Sequence, residues 1–238
     1  MSAPGTSAIA TSLTGVPSYA DLAAYNVNRD GWEAIRQSLY DSTSYVAAGQ
    51  PQLNFFSTPV GQGVGFGGGA KTLSDTNMTL AGQMPANQEF LIQSLEVSFF
   101  PSTPTPAAGA DMPAVFGAAA VAAQINDAYI FSRAGNLNLV IGSKSYLQEA
   151  PLLRFPQKSF FEVHGAASNA TTPAASLASM VAFGSARGRP YMLQPANLRL
   201  VSNQNFGVSL NWPEGAQVIA NPARVFVILD GVLYRRSQ

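Results

Sequence analysis

The feature that most constrains this chain is its punctuation. From Pro51 onward, short apolar stretches, several alternating with polar residues, are cut repeatedly by Gly, Pro, Asn or Asp. Little helical signal lies between them. A parallel sheet needs a crossover helix for each strand pair, so this pattern predicts antiparallel strands, about eleven of them. No fixed repeat appears, which argues against a propeller or solenoid. A β-sandwich or a closed barrel is left. Long loops between short strands favour the sandwich, specifically a jelly roll of about eight core strands.

The clearest strand is residues 90–100, where Phe90, Ile92, Leu95, Val97 and Phe99 are apolar and Gln93, Glu96 and Ser98 interrupt them. The alternation slips once near Ser94, the mark of a bulge or bend. Further strands are expected at 53–57, 78–81, 128–133, 137–141, 146–155, 160–164, 180–183 and 191–193. Pro151 and Pro156 place at least one of these on a sheet edge. Three hairpins are expected: around Ala134-Gly135-Asn136, around Asn203-Gln204-Asn205, and at Asp230-Gly231, the strongest turn dipeptide in the chain. An Ala-rich helix is expected over 113–125.

The N-terminal part reads differently, and the expected organisation is 1–50 as an arm plus helix and 51–238 as the β domain. Residues 1–17 are rich in Ser, Thr, Ala, Gly and Pro, and lack the basic and apolar regions of a signal peptide. Residues 18–48 read as helical. Asp30 stands three residues before Glu33, as an N-cap and its partner would, and Trp32, Ile35 and Leu39 fall on one helical face. Gly49-Gln50-Pro51 would end that helix.

Composition bears on function. Charged residues make up 11% of the chain against a usual share of about 25%, while the net charge is zero. A neutral, charge-poor surface is poorly soluble as a free monomer and suits a protein held in contact with others. Thirteen basic residues balanced by thirteen acidic ones leave no stripe for gripping a nucleic-acid backbone. Cysteine is absent, which excludes disulfides and thiolate metal sites. No apolar run is long enough to span a bilayer as a helix.

Candidate chemistry is thin. The run from Gly61 to Thr72 resembles a phosphate loop, but that motif needs Gly directly before Lys, and Ala70 precedes Lys71. His164 is the only histidine, and no Gly-x-Ser-x-Gly elbow accompanies it. The carboxylates are scattered, so nothing selects a glycosidase pair or a calcium loop. Trp32 and Trp212 are too few to argue a sugar platform. The expectation is a protein that is not an enzyme, with no catalytic residues, no cofactor and no metal. Trp32, Ile35 and Leu39 on the helical face and Arg235 and Arg236 at the surface are the candidate assembly contacts.

The second half resembles the jelly-roll shell proteins of tail-less, icosahedral bacteriophages. The residues that carry the likeness are Ile141-Gly142-Ser143-Lys144, the Pro-framed stretch from Pro151 to Pro156, the strand run from Tyr191 to Trp212, and the terminal stretch from Arg224 to Arg236. The resemblance implies a virion protein, made in the host cytoplasm, whose N-terminal arm and helix link neighbours. It would form trimers that tile into a shell, meet other virion proteins, and lie over a membrane where the virion has one. A double jelly roll wants about sixteen core strands, so a single jelly roll with long insertions fits better. The rival expectations are a carbohydrate-binding or carbohydrate-active jelly roll and a virion decoration or spike protein.

Overall fold

Three long strands organise the molecule. In a computed structural model, which describes residues 32–101, 118–167, 177–185, 190–193 and 198–236, β1 (Trp32–Tyr45), β3 (Gln88–Pro101) and β11 (Ala223–Arg236) each run fourteen residues, with β11 between the other two. Two short strands, β8 (Tyr191–Met192) and β9 (Leu198–Leu200), share the far edge of β3 and complete a five-stranded sheet. A second, four-stranded sheet has the order β2 (Gln52–Phe55), β10 (Phe206–Asn211), β4 (Asn136–Ile141), β5 (Lys144–Glu149). β6 (Ser159–Ala167) and β7 (Leu177–Ser185) form a separate two-stranded ribbon. Every strand pair is antiparallel. Helix is confined, among the described residues, to α1 (Ala118–Ala134) and a 3-10 turn at Leu152–Arg154.

The pairings nest. β4 pairs with β5, β3 with β8 and β9, β2 with β10, and β1 with β11. The chain therefore doubles back on itself as one long hairpin whose successive parts fall in alternate sheets. The two inner faces meet in a single core. Leu39, Leu95, Val97, Val225, Val227 and Leu229 come from the larger sheet, and Leu53, Phe55, Leu137, Leu139, Val208 and Leu210 from the smaller. Strict alternation of buried and half-buried residues along β4 and β10 is the two-residue period of strands with one buried face. The result is an all-β sandwich.

One end of the core is closed by α1. Residues 127, 130, 131 and 134 recur at helical spacing: Asp127 and Phe131 are buried, and Ile130 and Ala134 pack on the core. Phe131 meets Tyr45 and Trp212 at ring-centroid distances of 5.3 and 5.1 Å, and the Trp212 Nε1–H donates to the Phe131 carbonyl at 3.0 Å. Asp127 accepts backbone N–H bonds from Ala220 (2.7 Å) and Asn221 (3.1 Å), tying the chain before β11 to the helix.

Several expectations are corrected here. Residues 32–45 are not helical: all fourteen pair with β11, Trp32 opposite Arg236 and Tyr45 opposite Ala223. Long-range pairing overrides a weak local helical pattern, and β1 belongs to the sandwich rather than to a separate arm ending at residue 50. Asp30 and residues 1–17 lie outside the described residues. The segment 78–81, expected as a strand, forms none. The strand expected at 128–133 is the end of α1, so Ala134-Gly135-Asn136 joins helix to strand. The hairpin in that region instead joins β4 and β5 through Gly142 and Ser143. Residues 198–212 are not a hairpin either, because β9 and β10 lie in different sheets.

Asp230-Gly231 is not a turn. β11 runs straight through it, and Gly231 is absent from the left-handed region that a tight turn would demand. The irregularity sits opposite, in β3: Asp230 faces Ser94, Gly231 faces Ile92, and Gln93 is extra. The slip in alternation near Ser94 is this bulge.

Candidate functional site

The structure separates the expected contact residues. Trp32, Ile35 and Leu39 share a face only on a helix. On strand β1, with its period of two, Ile35 and Leu39 stand opposite Leu233 and Leu229 on the inward side, and Leu39 is part of the core. Trp32 takes the other face, where it packs on a small cluster of Leu91, Val232 and Tyr234. Trp32, Arg235 and Arg236 do come together, at one end of the β1–β11 pair: Arg236 is opposite Trp32, and Arg235 Nε donates to Glu33 Oε2 at 2.9 Å. Arg235 and Arg236 are exposed.

The outer face of the five-stranded sheet carries charges in opposite-sign pairs. Asp230 of β11 meets Arg36 of β1 at 3.1 Å and also Lys158. Lys158 lies 3.9 Å from Glu96 of β3, and its backbone N–H donates to the same carboxylate at 2.8 Å. Burial pulls the Lys158 ammonium below its ordinary value; Glu96 works against that and Arg36 adds to it. Arg199 of β9 pairs with Glu89 of β3. Charge on this side is thus largely neutralised within the subunit.

Beside the free edge of β1, where Thr76 bridges to Asp41, lies the glycine-rich segment. Lys71, the residue that a phosphate loop would offer to a ligand, is buried against Asp41 of β1, Nζ to Oδ1 2.6 Å. The other Asp41 oxygen accepts the Phe56 N–H at 2.6 Å and holds Phe56 at a φ of 67°, a region that a bulky residue rarely enters. Burial raises the Asp41 pKa, and Lys71 and the Phe56 amide only partly oppose it. Lys71 is therefore a structural clamp.

A second clamp is Asp75. Burial pushes its pKa up, but the N–H groups of Thr72 and Phe66, the Thr72 hydroxyl and Arg224 outweigh it and bring the carboxyl below its usual value. Arg224 also stacks over Phe226 (4.6 Å) and Phe66 (5.5 Å), and Phe100 meets Phe226 edge-on at 5.9 Å. Phe66, Phe100, Leu73 and Val64 are exposed. This corner is an apolar, aromatic surface organised around one arginine, and composition alone did not single it out.

The outer face of the four-stranded sheet has the opposite chemistry. On three of its strands the outward positions are Gln52 and Asn54 (β2), Gly207, Ser209 and Asn211 (β10), and Asn136, Asn138 and Val140 (β4). None is charged. Gln52 Nε2 donates to Asn54 Oδ1 at 2.9 Å, and Asn211 Nδ2 donates to Asn136 Oδ1 (3.2 Å) and Ser209 Oγ (3.1 Å). A groove of about 450 Å³ runs over Gln52, Asn54, Val140, Asn205, Gly207 and Ser209. The alternation along these strands was legible in the sequence; that the polar halves of three strands meet in one amide-rich face was not.

No protein-family model, curated protein or solved structure matches the chain. His164 lies on β6 opposite Met180, where its side chain is outside what the structure describes. Among the described residues no three His, Cys, Asp or Glu side chains gather as a metal site, and no helix is long and apolar enough to cross a membrane.

Proposed function

We propose that this chain is a structural shell protein: a single jelly roll that associates with copies of itself and tiles into a capsid. The nested pairing supports the jelly-roll reading. Counting β8 and β9 as one interrupted strand and setting the β6–β7 ribbon aside as an insertion, eight strands in chain order fill sheets of order 1-8-3-6 and 2-7-4-5. That is a rolled-up hairpin of two four-stranded faces.

The observation that carries the assembly reading is the internal neutralisation of charge beside an exposed aromatic corner. Seven basic residues (Arg36, Lys71, Arg154, Lys158, Arg199, Arg224 and Arg235) are each engaged with an acidic side chain of the same subunit. A surface whose charges are already paired can be covered by a neighbour with little uncompensated desolvation. Phe66, Phe100 and the stacked Arg224 are the residue types that anchor such contacts. The mechanism is geometric: complementary faces bury area, and the shell follows from their angles.

Light scattering coupled to size exclusion, followed by negative-stain imaging of the purified full chain at neutral pH and moderate salt, tests this. Closed particles or discrete large oligomers are expected, with Phe66→Asp or Phe100→Asp shifting the distribution toward smaller species. A protein that remains monomeric at high concentration would exclude the shell reading.

A further inference from the structure

We propose that the groove on the outer face of the four-stranded sheet is a binding site for a neutral, polyhydroxylated ligand, a glycan. The first ground is Gly207. It is the second residue of β10, the strand between β2 and β4, and pairs with Val140 of β4 one position before the β2 ladder begins at Val208. Glycine weakens a strand interior, because it adds no packing and loses the most backbone freedom on folding. Neither of the usual reasons for glycine applies: its φ is not in the left-handed region, and an added Cβ would meet only the Phe55 carbonyl oxygen, at an ordinary 3.7 Å. A side chain would fit the fold; what it would fill is the groove.

The second ground is the chemistry of the walls. Gln52 and Asn54 lock each other through one hydrogen bond, which leaves Gln52 Oε1 as an acceptor and Asn54 Nδ2 as a donor, without other partners among the described residues. Asn205 Oδ1 accepts from Gln83, which leaves its Nδ2 to donate. Ser209 Oγ accepts from Asn211, which leaves its hydroxyl hydrogen free to turn outward. Fixed donors and acceptors thus interleave around a floor of Gly207 and Val140. Sugar hydroxyls both donate and accept, and the C–H faces of a sugar ring pack on such an apolar floor. A charged ligand would find no countercharge in this lining, and an apolar one would bury amides without partners. The site does not depend on self-assembly and can be tested whether or not shells form.

The experiment is ligand-observed saturation-transfer NMR on the full chain. The probes are neutral oligomers of glucose, mannose, galactose and N-acetylglucosamine, with sialylated and sulfated oligosaccharides beside them. Saturable binding of at least one neutral oligomer is expected. Gly207→Val should weaken it at least tenfold with the melting temperature held or raised, and Asn54→Ala, at an exposed position, should weaken it severalfold with the fold unchanged. Three results would overturn the assignment: no neutral oligomer bound at millimolar concentration, binding confined to the charged saccharides, or undiminished binding by both variants. Should Gly207→Val fold poorly, Asn54→Ala combined with Ser209→Ala decides the matter alone.

Discussion

Replacing Gly231 distinguishes two accounts of the same glycine. A tight turn would need it for positive φ and would tolerate Asn nearly as well. The structure instead needs it for proximity. A Cβ at 231 would lie 1.9 Å from the Leu91 carbonyl oxygen, 2.9 Å from its carbon and 3.1 Å from Phe90 Cζ. The first two atoms are backbone, so no rotamer change relieves them, and β3 and β11 must part locally by about 1.5 Å to restore ordinary contact. That separation strains the ladder where Gly231 faces Ile92 and Val232 faces Leu91. Losing two ladder hydrogen bonds costs about 2 kcal/mol, and overpacking beside Phe90, Leu91 and Ile92 adds about 1–3 kcal/mol. Gly231→Ala and Gly231→Asn should therefore each destabilise by about 3–5 kcal/mol, or about 6–20 °C in melting temperature for a chain of this size. Urea titration should show a lower midpoint with an unchanged slope. Gly207→Ala, measured in parallel, should lie within about 0.5 kcal/mol of the parent or above it. Parental stability in Gly231→Asn would refute the close approach and restore the turn.

The other expectations concern the clamps and the edge strand. Lys71→Met leaves Asp41 buried without its partner and should cost about 3–5 kcal/mol at neutral pH; the deficit should shrink in acid as Asp41 takes up a proton, and Asp41→Asn in the same chain should restore part of it, both read by denaturant titration. Asp75 has a folded pKa below its unfolded value of about 3.9, so its contribution is full above that value and is lost as pH falls through the folded one. Asp75→Asn should accordingly cost about 1.5–3 kcal/mol at neutral pH, with the gap to the parent closing below about pH 4 in a pH series of melts. Removing residues 1–45 deletes β1 with Leu39, Asp41 and Tyr45, and should abolish the cooperative melt; a folded product by near-ultraviolet circular dichroism would return that segment to the role of a detachable arm. Arg235→Ala breaks only an exposed pair with Glu33 and should leave stability within about 0.5 kcal/mol of the parent in the same melts.

By itself the sequence determined the class of fold and much of the inward pattern. Alternation of apolar and polar residues is a local property: it placed β2, β3, β4 and β10 and located the bulge near Ser94, because a strand with one wet face must repeat every two residues. Tertiary structure decided the rest. Residues 32–45 carry a weak helical stripe and become a strand because β11, nearly two hundred residues away, offers fourteen backbone partners. The stretch around Tyr129 to Phe131 reads as strand and is helix because Asp127, polar and so left out of any apolar stripe, is buried against the amides of Ala220 and Asn221. Asp230-Gly231 has the composition of a turn and is straight because β3 lies against it. The same holds for the two surfaces. Whether Phe66 meets Arg224, or Asn54 shares a groove with Gly207, depends on which strands lie side by side, and backbone pairing over long sequence separations leaves no mark in the local pattern.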